Sequence, residues 1–235
     1  MPGSRRAPAR LQSLPTPSAK EPCPDHPRPS SADLRTEVPL ALAGQRIGLM
    51  GGTFNPPHAG HATCAITALR RLKLDQLWWI VTPGNPLKSG EGLPSLARRV
   101  AASRLFATDP RIKVTGFEAA LGSAYTYETL RHVTRRLPGV HFVWVMGADN
   151  LAGFHRWQQW RKIARLVPMA IVDRPGWRLP ALASPAAASL SRYRVSESRA
   201  ALLPLMAPPA WTLLSTRLSE ASSTSLRRDT ERNAR

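Results

Sequence analysis

An α/β domain organised on a doubly wound parallel sheet is what this sequence predicts, and three observations carry it. Short apolar runs bounded by Gly, Pro or polar residues recur at 46–50, 76–82, 112–114, 141–146, 169–172 and 211–214, as expected of strands covered on both faces. Segments with apolar residues at helical spacing alternate with them, at 62–74, 93–107 and 125–137. The residues with chemistry to offer follow the strands directly, at the carboxyl ends where open α/β sheets take ligands. The pattern is Rossmann-like, and 235 residues are enough for one such domain plus a tail.

The first 45 residues do not read as core. Nine of the 23 prolines fall between Pro2 and Pro39, among Ser, Ala and scattered Arg. Without apolar periodicity such a segment cannot bury enough surface to offset its ordering entropy, so 1–45 is expected to be a disordered extension. It lacks the continuous apolar region of a secretory signal, and Glu21, Asp25, Asp33 and Glu37 argue against a transit peptide. No apolar run reaches membrane-spanning length, so the expectation is a cytoplasmic protein with no membrane partner. Cys23 lies in the tail and Cys64 on the first helix, which implies no disulfide framework.

Strand 46–50 leads into Gly51-Gly52-Thr53-Phe54-Asn55-Pro56-Pro57-His58-Ala59-Gly60-His61 and then into helix 62–74. A loop that joins a strand to a helix N-terminus presents unpaired backbone N–H groups with the positive end of the helix dipole behind them, so its natural guest is an anion. Gly51 and Gly52 allow the main chain close to a phosphate, while Pro56 and Pro57 stiffen the turn. His58 and His61, three apart, share one face of the first helical turn and can aim imidazole donors at one ligand. The same spacing also suits a metal or a structural pair, but zinc needs further Cys, His or carboxylate ligands and none clusters nearby in the sequence.

Strand 76–82 ends at Pro83-Gly84, and the polar loop 83–94 carries Lys88, either beside the phosphate loop or simply solvated. Helix 93–107 and strand 112–114 follow, then helix 125–137, where Thr126 suits an N-cap. Strand 141–146 is the clearest buried run. It ends at Gly147, with Asp149 just beyond, placed for ligand contact or for capping a helix that starts near Leu151. Residues 157–166 are amphipathic: Trp160, Ile163, Ala164 and Val167 share a face, and Trp157 at the start is free to stack on a planar ring or to anchor in the core. Strand 169–172 runs into Arg174-Pro175-Gly176, residues 177–209 show no legible pattern, and 211–214 is the last strand. Ser222-Ser223-Thr224 with Arg227 is a good helix start by itself; paired with the opening loop it completes a phosphate clamp.

Gly52-x-Phe54-x-Pro56-x-His58-x-Gly60-His61 resembles the signature of the HxGH nucleotidylyltransferases, in the form found in bacterial nicotinate-nucleotide adenylyltransferases. Further matches follow in order: Thr82 to Lys88, Tyr125-Thr126 with Thr129-Leu130, Gly147 to Asn150, Trp157, Arg174-Pro175-Gly176, and Ser222 to Arg227. They span about 46–228, which the resemblance marks as the catalytic domain, with 229–235 as a C-terminal tail. Ala221, where a bulky aliphatic is usual, and a chain that stops soon after Arg227 depart from the pattern.

The resemblance implies adenylyl transfer from ATP to nicotinate mononucleotide, with Mg²⁺ bound mainly through the ATP phosphates and no protein metal cage. The attacking phosphate is already an anion, in keeping with the absence of a base and nucleophile pair from these motifs. It implies that His58, His61, Lys88 and Arg227 act at the reacting phosphates. ATP contacts would come from Gly51, Gly52, Thr53, Phe54, His61, Gly147, Asp149, Ser222, Ser223, Thr224 and Arg227. The pyridine mononucleotide would meet Asn55, Lys88, Tyr125, Thr126, Trp157 and Arg174. Phosphopantetheine or nicotinamide mononucleotide are the rival acceptors, and the oligomeric state, homo-oligomer included, stays open. The net charge of +18 invites a non-enzymatic, RNA-binding reading. The excess is nearly all Arg, spread along the chain without basic runs interleaved with aromatics, so no nucleic-acid partner is expected.

Overall fold

The structure, a computed structural model, describes residues 37–84 and 93–216. Six strands, β1 (Arg46–Gly52), β2 (Gln76–Val81), β3 (Ile112–Thr115), β4 (His141–Gly147), β5 (Met169–Val172) and β6 (Trp211–Leu214), form one sheet. Every pairing is parallel, and the spatial order is β3-β2-β1-β4-β5-β6. The fold is the Rossmann-like α/β sheet that the apolar runs predict.

Each strand is apolar on both faces because each face is covered. Along β2, Leu77, Trp79 and Val81 pack with Leu69 from α1 (Ala59–Arg71), Leu72 just after it, and Val100 from α2 (Leu96–Phe106). Trp78 and Ile80 point the other way, onto Leu130 and Val133 of α3 (Thr126–Arg136). Period-two alternation in a run with no polar interruption therefore fills two cores at once. The second core also takes in Leu151 of α4 (Ala148–Gly153) and Ile163 of α5 (Trp160–Leu166). Trp78 and Trp79 are both fully buried, and truncating either to alanine is a change that costs about 3–5 kcal/mol in protein cores.

The site is set by where the strand order reverses. β1 and β2 stay paired as far as Gly52 and Val81, but the β1–β4 pairing ends at Leu49 and Trp144. Beyond that point the two central strands part, and a crevice opens at their carboxyl ends, at the switch point of a doubly wound sheet.

Several boundaries differ from the sequence reading. Residues 37–45, assigned there to the extension, are tied to the domain: Val38 and Ala41 pack on the core, and Gly44 N donates to Gly139 O at 2.7 Å. α1 begins at Ala59 because His58 caps it, and α4 begins at Ala148, directly after β4, with no room for Asp149 to act as its cap. α5 starts at Trp160, three residues late, because Gln159 is left-handed at φ 57°. The stretch without legible pattern folds into α6 (Arg178–Leu182), α7 (Pro185–Ser189) and two 3-10 segments, Ser191–Tyr193 and Glu197–Leu205. The two α-helices have only five residues each and the rest is 3-10, which explains why no helical period showed. Among the described residues no helix is long and apolar enough to cross a membrane.

Candidate active site

His58 and His61 close the N-terminus of α1 reciprocally. His58 Nδ1 accepts from Gly60 N at 3.1 Å, and His61 Nδ1 accepts from the His58 backbone N at 3.3 Å, a capping box built from imidazoles. An Nδ1 that accepts carries no proton, so in each neutral ring the hydrogen sits on Nε2. Burial first, then Arg174, lowers His58 from 6.5 to about 4. Burial, then His58 and Arg174, lowers His61 to about 2. Both are therefore neutral Nε2–H donors at physiological pH and contribute hydrogen bonds rather than charge. His58 is 3% exposed, and its Nε2 has no partner among the described residues. A buried donor left open at a helix N-terminus is a place for a ligand oxygen.

Aromatic packing holds the loop before these histidines. Phe54 is left-handed at φ 45°, a strained setting for a bulky side chain, and its ring is wedged against His61 at 4.9 Å and Trp79 at 4.8 Å. The His58 and His61 rings lie 3.8 Å apart. The two glycines serve this packing. A Cβ on Gly51 would meet Trp144 Cη2 at 2.7 Å, and one on Gly52 would meet the Phe54 ring at 3.1 Å.

Across the crevice, α4 and the end of β5 supply the charge. Arg174 Nη1 donates to Asp149 Oδ2 at 2.9 Å, and the pair lies within electrostatic reach of His58 and Cys64. Asp149 Oδ1 is buried and has no partner among the described residues. Gly147 is the N-cap of α4, and a Cβ there would clash with Asp149 Oδ1 and sit 3.0 Å from Arg174 Cδ. No three His, Cys, Asp or Glu side chains among the described residues converge as metal ligands.

A family model described as cytidylyltransferase-like matches residues 49–229, three quarters of the sequence. The chain belongs to the cytidylyltransferase-like family. It is 54% identical over 182 residues to the "probable nicotinate-nucleotide adenylyltransferase" of Methylorubrum extorquens, covering 77% of this chain and 98% of that one. To the Rhizobium meliloti protein of the same name it is 57% identical over 181 residues, covering 77% and 96%. Among solved structures, Plasmodium falciparum nicotinic acid mononucleotide adenylyltransferase complexed with NaAD aligns with TM-score 0.57 at 18% identity, covering 78% of this chain and 83% of that one. At that identity the likeness is one of fold.

In this cytidylyltransferase-like domain the expected site residues divide into two neighbouring groups. Thr53, Phe54, His58, His61, Gly147, Asp149 and Arg174 line the carboxyl ends of β1, β4 and β5. Trp157 is half-buried beside them, edge-on to Trp144 at 6.3 Å and Phe154 at 5.3 Å; it precedes α5 instead of leading it. Of the two roles considered for it, these contacts show the anchoring one, with the residue only partly buried. Tyr125 is the N-cap residue of α3 and 42% exposed; Thr126 is its first helical residue, so the N-cap role expected of Thr126 falls to Tyr125, without a side-chain cap bond. Asn55 lies in the turn just before His58. Lys88, Ser222, Ser223, Thr224 and Arg227 lie outside the described residues.

Two buried polar residues that the sequence reading passed over border these groups. Glu118, 4% exposed, accepts from Thr129 Oγ1 at 2.5 Å and is also bonded by the Thr82 side chain. Desolvation raises its carboxyl above the usual range against the pull of those hydroxyls. Thr129 Oγ1 also lies 3.4 Å from Tyr125 O, so this carboxyl links the start of α3 to the end of β2. The other residue is Arg99 of α2, 3% exposed, whose four hydrogen bonds among the described residues all go to main-chain carbonyls. A cleft of about 320 Å³ beside β6 is lined by Arg178, Arg194 and Glu197. Arg178 there is paired with Asp173, and Glu197 with Arg71.

Proposed function

We propose that this protein transfers the adenylyl group of ATP to nicotinate mononucleotide, forming nicotinate adenine dinucleotide and pyrophosphate. Relatives that bear that name and are more than half identical along nearly their whole length support it. The geometry adds the single observation that carries the chemistry. Two imidazoles are locked by their Nδ1 atoms as Nε2–H donors at the N-terminus of α1, with Arg174 within electrostatic reach.

An oxygen of the mononucleotide phosphate attacks the α-phosphorus of ATP, the bond from that phosphorus to the β-bridging oxygen breaks, and pyrophosphate leaves with the electron pair. No proton has to be removed from the nucleophile, so the site needs no general base. Its work is to align two anions and to stabilise the charge that builds on the α-phosphate oxygens. His58 and His61 donate there, and being neutral in the free site they do so without repelling each other across 3.8 Å. Arg174, oriented by Asp149, offers the positive charge among the described residues; Lys88 and Arg227 are assigned the departing pyrophosphate. Trp157, partly buried against Trp144, is assigned the pyridine ring, and Tyr125 and Thr126 at the start of α3 are assigned to the same substrate. Mg²⁺, if bound, would be carried mainly on the triphosphate and water, Asp149 Oδ1 is the protein oxygen that would hold it, and it would supply charge neutralisation.

Purified protein given ATP with nicotinate mononucleotide, nicotinamide mononucleotide or phosphopantetheine in parallel tests the reading through pyrophosphate release. The reading expects the highest kcat/KM with the nicotinate compound. Preference for phosphopantetheine, or no release with any acceptor, overturns it.

A further inference from the structure

The β1–β2 ladder ends at Gly52 and Val81, and the carbonyls of Thr53 and Thr82 immediately beyond have lost their strand partners. Buried carbonyls need donors, and one side chain supplies them here. Arg99 Nη1 donates to Thr53 O at 2.9 Å and to Thr82 O at 2.7 Å. Its Nη2 donates to Pro83 O at 3.1 Å and its Nε to Pro94 O at 2.9 Å. Four donors of one planar fork thus join the phosphate loop, the end of β2 and the approach to α2. Among the described residues no carboxylate pairs with it. Burying a guanidinium costs several kcal/mol of desolvation, so stability alone is a poor reason to keep one there.

We propose that Arg99 is a positioning residue for adenylyl transfer: it fixes the phosphate-loop backbone at Thr53 against the end of β2 and thereby sets the aim of His58 and His61. The proposal rests on the function proposed above. Thr53 is the residue before strained Phe54, and Phe54 packs directly on His61, so a shift at the Thr53 carbonyl passes through one residue to the donor ring. A displacement of about 1 Å at such a donor is worth on the order of 10²-fold in rate. Lysine keeps the charge but is a point donor and cannot span three segments.

Arg99→Lys and Arg99→Met, made in the full chain, test this by kinetics with ATP and nicotinate mononucleotide and by hydrogen exchange across residues 51–58. Expected for Arg99→Lys are a native circular dichroism spectrum, kcat lower by about tenfold or more, a KM for the mononucleotide within about threefold, and faster exchange confined to that loop. Unchanged kcat, or unchanged loop exchange, in a folded variant overturns the positioning role. So does failure of both variants to fold, since Arg99 is then a core residue. Wild-type protein inactive with these substrates would count against the proposed function instead, and the exchange measurement still decides whether Arg99 holds the loop.

Discussion

His61→Asn separates the two bonds that one imidazole makes. Asparagine places Oδ1 close to where Nδ1 stands, so the bond accepted from the His58 backbone N is kept, whereas nothing remains at the position of Nε2. The cap therefore survives and the ligand-facing donor does not. The variant also loses ring contacts to Phe54 at 4.9 Å and His58 at 3.8 Å, each worth about 0.5–1.5 kcal/mol, so it is destabilised by roughly 1–3 kcal/mol and stays folded. Loss of one preorganised donor to a developing oxyanion costs on the order of 10²–10³ in kcat. The assay is steady-state kinetics at 25 °C alongside urea unfolding. His61→Ala, which loses cap and donor together, should show the same kcat within about threefold and a lower unfolding midpoint by the ~1 kcal/mol of a lost cap. A folded His61→Asn enzyme whose kcat stays within about threefold of wild type would falsify the donor role and leave His61 as a cap alone.

Trp157→Ala should raise KM for the pyridine mononucleotide by about tenfold and leave that for ATP nearly unchanged; equal effects on both would make it a packing residue only. Gly147→Ala pushes a methyl into Asp149 and Arg174 and should lower kcat/KM about tenfold, with the loss visible in kinetics before any change in circular dichroism. In the free enzyme both histidines titrate below their unfolded value of 6.5, so the folded state binds fewer protons than the unfolded one as pH falls. Their contribution is whole above pH 6.5 and is lost as pH falls, down to about 4 for His58 and about 2 for His61, so the urea midpoint should drop between pH 7 and pH 5, and less so in a His58→Asn, His61→Asn double variant. Equal drops in the two proteins would show that the histidines are not buried as neutral groups.

Much of this was legible because strands and anion sites leave local marks. A run such as Leu77 to Val81, apolar without interruption and bounded by turn residues, reads as a strand covered on both faces, and the Gly51 to His61 loop announced a strand-to-helix turn. What stayed hidden depends on contacts distant in sequence. The two glycines read as space for a phosphate, and nothing near Gly51 in the sequence shows that Trp144 uses that space. Two neutral imidazoles capping each other follow from burial, which no residue count reveals. Arg99 and Arg98 look alike in the sequence. The distinguishing signal was helical phase, since Leu96, Arg99, Val100 and Ser103 share the inward face of α2, but an arginine on an apolar face is easily taken for a break in the pattern. The Trp177 to Pro209 stretch was opaque because its helices are too short to show a period.

The bond that breaks is the most direct test. With ATP labelled at the α-phosphate in one reaction and at the γ-phosphate in another, and nicotinate mononucleotide as acceptor, the products can be separated and counted. Adenylyl transfer predicts all transferred α-label in the dinucleotide and all released γ-label in pyrophosphate, in equal amounts. Label from the γ-phosphate on the acceptor, or released as inorganic phosphate with no dinucleotide formed, would contradict attack at the α-phosphorus and with it the role assigned to His58 and His61.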